Sequence, residues 1–350
     1  MNTNQVNYLN IGLMFLSAVL GVAYPFETFL FVYTVLGPLH YLTEISWLHE
    51  RNYYTKGRYD YLFLIGAAVL LTIANLKIIP GLPTYIPEWA VFAALGAALA
   101  FVVFKTTSAR WMMVVVLALA GVFIATAPWF GLAFGIFLPT LVHVFVFTAC
   151  FVLAGALKSR SLSGYLSLGV FVLISLSFLF FHPAHPGYEV GNYVSNNYGT
   201  VRDDGSLTSP FLAVNYYFAK IFNFSGFNLS TASLAGGVSA VNTYLYHNPV
   251  ALALMSFIAF AYCYHYLNWF SKTSIIRWHE VSKRRLAVLV VIWLMSLALY
   301  AYNYSVGLRW LFFLSLAHVL LEFPLNHLTF IQIGRELGGR LVPQKPVKVR

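Results

Sequence analysis

Residues 27–48 read ETFLFVYTVLGPLHYLTEISWL and carry a histidine and a glutamate, His40 and Glu44, inside an apolar stretch. About 20 apolar residues are enough for a helix to cross the hydrocarbon core of a bilayer. An ionisable side chain at that depth is costly unless it is paired, lines a wet cavity or binds an ion. The stretch therefore predicts a transmembrane helix that contributes to a functional site.

Three further apolar stretches each carry a histidine: His143, His265 and His318. Glu322 follows His318 by four residues, the same spacing as in the first stretch, and residues four apart lie on one face of a helix. A carboxylate so placed either completes a metal's coordination shell or holds a ligand histidine of another helix. The predicted metal site comprises His40, His143, His265, His318, Glu44 and Glu322.

The composition of the chain indicates an integral membrane protein. Of its 350 residues 60% are apolar and 9% are charged, whereas about 25% are charged in an average soluble domain. The net charge of +10 is explained by basic loops that contact anionic lipid headgroups, and we expect no nucleic-acid partner. The two cysteines, Cys150 and Cys263, lie in apolar segments, which argues against disulfides and thiolate ligands.

Hydrophobic runs of spanning length predict an all-α, polytopic helix bundle with about ten transmembrane helices. Seven of these spans fall within residues 1–181 and three within residues 248–331. The predicted spans are 8–24, 27–48, 59–79, 85–104, 109–127, 129–157, 165–181, 248–270, 285–302 and 308–331.

The basic residues predict the orientation of this bundle. Most Lys and Arg residues follow the even-numbered spans or lie in the tail, residues 332–350, and basic loops face the cytoplasm. We therefore expect both termini to be cytoplasmic, in a bacterial inner membrane. Residues 182–247 then form an outer-face insertion, in which the apolar and aromatic segment 210–227 predicts an interfacial or re-entrant helix.

Imidazole and carboxylate ligands suit iron, zinc, copper or manganese, and ferrous iron in an open site commonly uses them. Iron (Fe²⁺) is our first expectation, with zinc or another transition metal as the alternative. Aromatic and polar residues on the same helices are candidates for a substrate tunnel or for support of the ligands. These candidates are Tyr41, Tyr264, Asn268, Trp269 and His327.

The segment GPLHYLTE, residues 37–44, resembles the Pro-His-Gly-x-x-Asp signature of the bacterial Brp/Blh-type beta-carotene cleavage dioxygenases. His143 resembles that family's lone ligand histidine, and Cys263-Tyr264-His265 resembles its Cys-aromatic-x-His segment. The run from His318 to Glu322 resembles its C-terminal helix. Where the family's third motif has a second histidine, this chain has Trp269. The resemblance implies a multi-helix membrane enzyme that binds non-haem iron and splits a polyene with dioxygen.

The predicted function is therefore that of an iron oxygenase acting on a lipid-soluble substrate, such as a carotenoid or other polyene, which enters from the bilayer. No catalytic residue is assigned beyond the metal ligands. One alternative is a proton- or ion-coupled transporter that uses the same buried residues. Another is a membrane di-metal hydroxylase or desaturase, although the chain lacks paired His-x-x-His-His boxes. The oligomeric state and the number of metal ions stay open.

Overall fold

The computed structural model of the protein describes residues 1–181, 187–199, 209–221 and 243–341. Within these ranges the chain forms helices and turns, without a β-strand. Of the predicted interfacial segment 210–227, the part up to residue 221 is described and is helical, and the rest lies outside the described residues.

Thirteen helices are used below. They are α1 Thr3–Ala23, α2 Pro25–Glu50, α3 Tyr61–Asn75, α4 Ile86–Val103, α5 Thr107–Ile124, α6 Pro128–Ser159, α7 Leu162–Phe181, α8 Asn192–Tyr198, α9 Pro210–Ile221, α10 Pro249–Ser271, α11 Thr273–Ile276, α12 Lys283–Tyr302 and α13 Tyr304–Leu341. A 3₁₀ turn, Asn52–Tyr54, follows α2.

Eight of the described helices are long and apolar enough to cross a membrane: α1, α4, α5, α6, α7, α10, α12 and α13. This confirms the predicted all-α, polytopic membrane bundle. Two predicted spans, 27–48 and 59–79, correspond to helices that are not among the eight. These helices are α2, which has 26 residues and carries His40 and Glu44, and α3, which has 15 residues.

Helix α10 is the centre of the bundle. It packs against α1, α2, α6 and α7, and 89% of its apolar window is buried. By contrast, 17% of the window is buried in α5 and in α12, which lie at the periphery. A helix that is enclosed on all sides is apolar nearly all round, so a polar side chain on α10 faces the protein interior.

The bundle has two ends, which we name by the chain segments they carry. The terminal face is the end at which α1 begins and α13 ends. There Asn7 at the start of α1 donates a hydrogen bond to Ser163 at the start of α7, and Arg160 pairs with Glu336 of α13. The loop face is the opposite end, which carries α8 and α9. The positive-inside prediction places the terminal face in the cytoplasm.

A buried ion pair fixes two connections at the terminal face. Asp60, just before α3, accepts a hydrogen bond from Nη1 of Arg110 in α5 at 2.5 Å and another from the Gly57 amide at 2.7 Å. Both charged side chains are at most 7% exposed. Separating the two side chains would leave an unpaired charge in the interior. The pair therefore holds α5 against the loop that precedes α3.

Candidate metal centre

Four histidines from four helices converge in the interior. One ring nitrogen of each lies within 4.8 Å of the others, and the residues are His40 of α2, His143 of α6, His265 of α10 and His318 of α13. All four are at most 7% exposed. The structure thus brings together every histidine that the apolar stretches singled out, and this group can hold a metal ion.

Two pairs of ring nitrogens have the spacing of neighbouring ligands of one ion. Nε2 of His40 lies 3.1 Å from Nε2 of His265, and Nε2 of His143 lies 3.1 Å from Nε2 of His318. Two nitrogens that are each about 2.1 Å from a metal stand about 3.0 Å apart at a right angle and about 3.4 Å apart at the tetrahedral angle. The observed separations fall between these values.

Glu44 faces the same space as the ring nitrogens. Its Oε2 atom lies 3.0 Å from Nε2 of His40, one helical turn away on α2, and the residue is 3% exposed. An α-helix places the two side chains on one face, so this contact follows from the sequence spacing. Because Oε2 contacts the ring nitrogen that points into the cluster, Glu44 is placed to add an oxygen ligand.

Glu322 contacts the outer nitrogen of one of the four imidazole rings. Its Oε2 atom lies 3.2 Å from Nδ1 of His143, the nitrogen opposite the one that faces His318. A carboxylate in this position fixes the tautomer and orientation of a ligand histidine and raises its basicity. Thr148 makes a similar contact with His265, since its Oγ1 lies 2.8 Å from Nδ1 of that ring.

The helix that carries His143 is unusual in its winding. Residues Gly131–Phe147 of α6 have the wider π-helical form, and Pro139 lies within them. Proline lacks an N–H and disrupts regular α-helical hydrogen bonding, and π-helical winding is frequently found at functional sites. In this chain the wide segment carries His143 into contact with α10 and α13.

Aromatic rings enclose two of the histidines. The ring of Tyr41 stacks on that of His318, with centroids 4.2 Å apart, and its hydroxyl lies 2.8 Å from that of Tyr266. The ring of Trp269 lies 5.5 Å from that of His40. Tyr41 and Trp269, both predicted from the sequence, therefore lie beside the cluster.

Two predicted supporting residues lie elsewhere. The hydroxyl of Tyr264 donates a hydrogen bond to Oδ1 of Asn10 in α1. Nε2 of His327 lies 2.9 Å from the carbonyl oxygen of Leu95 in α4. Neither side chain reaches the four histidines through these contacts.

Two cavities reach the cluster from opposite faces of the bundle. One, of about 140 Å³, extends toward the loop face and is lined by His143, His318 and Tyr41. The other, of about 390 Å³, extends toward the terminal face and is lined by His40, His265, Glu44, Glu322 and Asn268, among others. We call the second one the terminal-face cavity. A small molecule therefore has space beside the histidines.

Sequence reasoning missed two groups that the structure places at the site. Thr148 contacts His265, and Lys272 lines the terminal-face cavity. The only local signal for Thr148 was a hydroxyl in an apolar helix shortly after His143. Lys272, the first residue after α10, follows His265 by seven residues, or about two helical turns, so it continues the face of the helix that carries His265.

Comparison with known proteins provides no relative. No protein-family model matches this chain, and no curated protein and no solved structure matches it.

Proposed function

We propose that this protein is a membrane iron oxygenase that oxidises a lipid-soluble substrate with dioxygen. The observation that carries the proposal is the convergence of four buried histidines beside a cavity of about 390 Å³. Ligand pockets for small molecules typically enclose about 300–1,000 Å³, so this cavity is large enough for a substrate next to the ligands.

The donor set favours iron. Four imidazoles and a carboxylate are nitrogen and oxygen ligands, and no thiolate lies among them. This set suits ferrous iron, with zinc as the main alternative. Non-haem iron, when bound, supplies the reaction with dioxygen that side chains cannot perform.

The chain's own residues prepare the site. Glu322 and Thr148 hold the rings of His143 and His265 by their outer nitrogens. The stacked ring of Tyr41 restricts His318. The four histidines are at most 7% exposed, which limits their contact with bulk water and thereby limits side reactions of reactive species.

The resemblance of the histidine-bearing segments to the Brp/Blh-type dioxygenases supports a polyene as the substrate. A carotenoid or related isoprenoid is therefore the first candidate, reaching the cavity from the bilayer. The aromatic side chains near the cluster, such as Trp269, suit packing against such a chain.

Metal analysis tests the proposal directly. Detergent-purified wild type, His40→Ala and His318→Ala are analysed by mass spectrometry, with His327→Ala as a control on α13, because His327 contacts Leu95 instead. We expect close to one iron per chain in wild type and the control and little in the other two variants. Cells fed carotenoid should accumulate an oxygen-dependent product only with the metal-binding forms. Folded wild type without metal would contradict the proposal.

A second candidate is a proton- or ion-coupled transporter. It is favoured by one observation, that cavities approach the histidines from both faces of the bundle. Buried ionisable residues between two such cavities are typical of ion pathways. Gradient-dependent flux in proteoliposomes made from metal-free protein would favour this candidate over the oxygenase.

A further inference from the structure

The terminal-face cavity has chemically different ends. One end holds the metal-binding cluster with Glu44 and Glu322, and the other end is lined by Lys158 and Lys272. Apolar side chains form much of the rest of the wall: Trp47, Phe151, Ala154, Ile275, Ile276 and Leu325. The cavity is thus an apolar chamber with lysines at the end away from the histidines.

The two lysines have no carboxylate partner among the residues that the structure describes. The acidic residues near the same face are already paired with arginines. These pairs are Glu50 with Arg285, Asp60 with Arg110, Glu280 with Arg277, and Glu336 with Arg160. The positive charges at the mouth of the chamber are therefore not neutralised by the protein, which favours an anionic ligand.

Lys272 is the better placed of the two lysines. It is the first residue after α10, it is half-buried, and burial lowers its pKa to about 8. A half-buried ammonium without a partner is costly, and an anion beside it offsets that cost. Lys158, at the end of α6, is exposed and adds a second positive charge at the mouth.

A second cavity, of about 480 Å³, continues on the other side of the lysines. It shares Phe151, Gly155, Lys158, Asn268, Lys272 and Ile275 with the terminal-face cavity. Its remaining wall includes polar side chains: Thr3, Asn7, Asn10, Ser159 and Ser167. Beyond the lysines, the lining therefore combines apolar side chains with uncharged polar ones.

We propose that the terminal-face cavity binds an anionic amphiphile, with its apolar chain extending toward the four histidines and its carboxylate or phosphate headgroup at Lys158 and Lys272. As the substrate of the reaction, this ligand rests on the proposed function. Within the proposed substrate class, it favours a polyene or other lipid chain with an acidic end over a neutral one. An apolar wall alone would accept both an acidic and a neutral lipid chain. The two lysines favour the acidic one.

Binding, not turnover, tests the inference. Tritiated palmitate is bound to the full-length, detergent-purified protein and measured by scintillation proximity. Unlabelled palmitate, hexadecyl phosphate and hexadecanol compete for the site. We expect at least one anion to compete about tenfold better than hexadecanol, because hydrogen bonds to charged groups contribute more than those to neutral ones. The stronger anion identifies a fatty-acid-like or a lipid-phosphate-like headgroup.

Variants locate the site. Lys272→Gln and Lys158→Gln should each weaken palmitate binding, Lys272→Gln by about tenfold, while Lys105→Gln, on an exposed loop outside the cavity, leaves it unchanged. Gly155→Trp should abolish binding, because Gly155 lines the cavity and a side chain there meets open space. Gly169→Trp is the matched control, since Gly169 of α7 also faces open space but does not line the cavity.

Metal content is measured on every sample. Amphiphile binding by a protein that holds no metal would contradict the proposed oxygenase and leave this inference standing. Hexadecanol that competes as well as both anions, unchanged binding in Gly155→Trp, or no palmitate binding by wild type would each overturn the inference, whatever the metal content.

Discussion

Glu322 lies on α13 four residues after His318, yet its carboxylate contacts His143 of α6, with Oε2 3.2 Å from Nδ1. Glu322 of α13 therefore orients His143, a proposed ligand on α6. Helix α13 also provides a proposed ligand of its own, His318. This arrangement couples the packing of α6 against α13 to the geometry of the four-histidine cluster.

Glu322→Gln tests that coupling. The amide keeps the size of the side chain but cannot form the carboxylate that, when ionised, makes His143 a stronger ligand. We expect about 10–100-fold weaker metal binding, the usual effect of losing such a partner. Competition with a chelator measures it. Glu336→Gln, on the same helix but paired with Arg160 near the surface, is the control and should bind metal like wild type. Equal affinity in both variants would argue against an orienting role for Glu322.

The stacked ring of Tyr41 gives a second prediction. Tyr41→Leu removes the contact with His318, whereas Tyr41→Phe keeps the ring and loses only the hydroxyl contact with Tyr266. Aromatic pairs contribute about 0.5–1.5 kcal/mol beyond burial, so Tyr41→Leu should weaken metal binding several-fold while Tyr41→Phe stays close to wild type. The same chelator competition distinguishes them. A loss in both variants would assign the effect to the hydroxyl.

The ion pair of Asp60 and Arg110 predicts a change in stability. Asp60→Asn leaves the Arg110 guanidinium buried beside a neutral group, and breaking such a pair costs about 3–5 kcal/mol. Thermal unfolding in detergent, followed by circular dichroism, should show a clearly lower midpoint. Glu280→Gln breaks the exposed pair with Arg277, in which both side chains are more than half exposed, and should change nothing measurable. Equal midpoints for the two variants would contradict the prediction.

The binding of an anionic amphiphile should depend on pH. Burial lowers the pKa of Lys272 to about 8, so the free protein carries this charge below pH 8 and loses it as the pH rises through that value. The bound anion favours the protonated lysine, which moves the midpoint upward in the complex. Affinity should therefore be constant near pH 7 and fall between about pH 8 and 10.

Hexadecanesulfonate is the ligand for this measurement, since its own charge does not change over that range. The other titratable side chains that line the cavity are Lys158, His40, His265, Glu44 and Glu322. Lys272→Gln should bind more weakly at pH 7 and lose the decline above pH 8. A decline that persists unchanged in this variant would assign the titration to Lys158 or another group.

The sequence by itself determined the membrane helices and the candidate site residues that they carry. Span length and composition are local properties, so the apolar runs predicted the bundle. The pairing of His40 with Glu44 was also predictable, because both lie on one face of one helix. Four ionisable rings in apolar surroundings indicated that these helices meet, since each ring alone would be costly to bury.

Only the tertiary structure decided which groups touch across helices. The spacing of His318 and Glu322 is the same as that of His40 and Glu44, but Glu322 contacts His143 instead. Tyr264 and His327 lie on site-bearing helices and yet contact α1 and α4. The physical reason is that residue spacing fixes neighbours along one helix, whereas contacts between helices depend on the rotation and depth of each helix, which packing over its whole length sets.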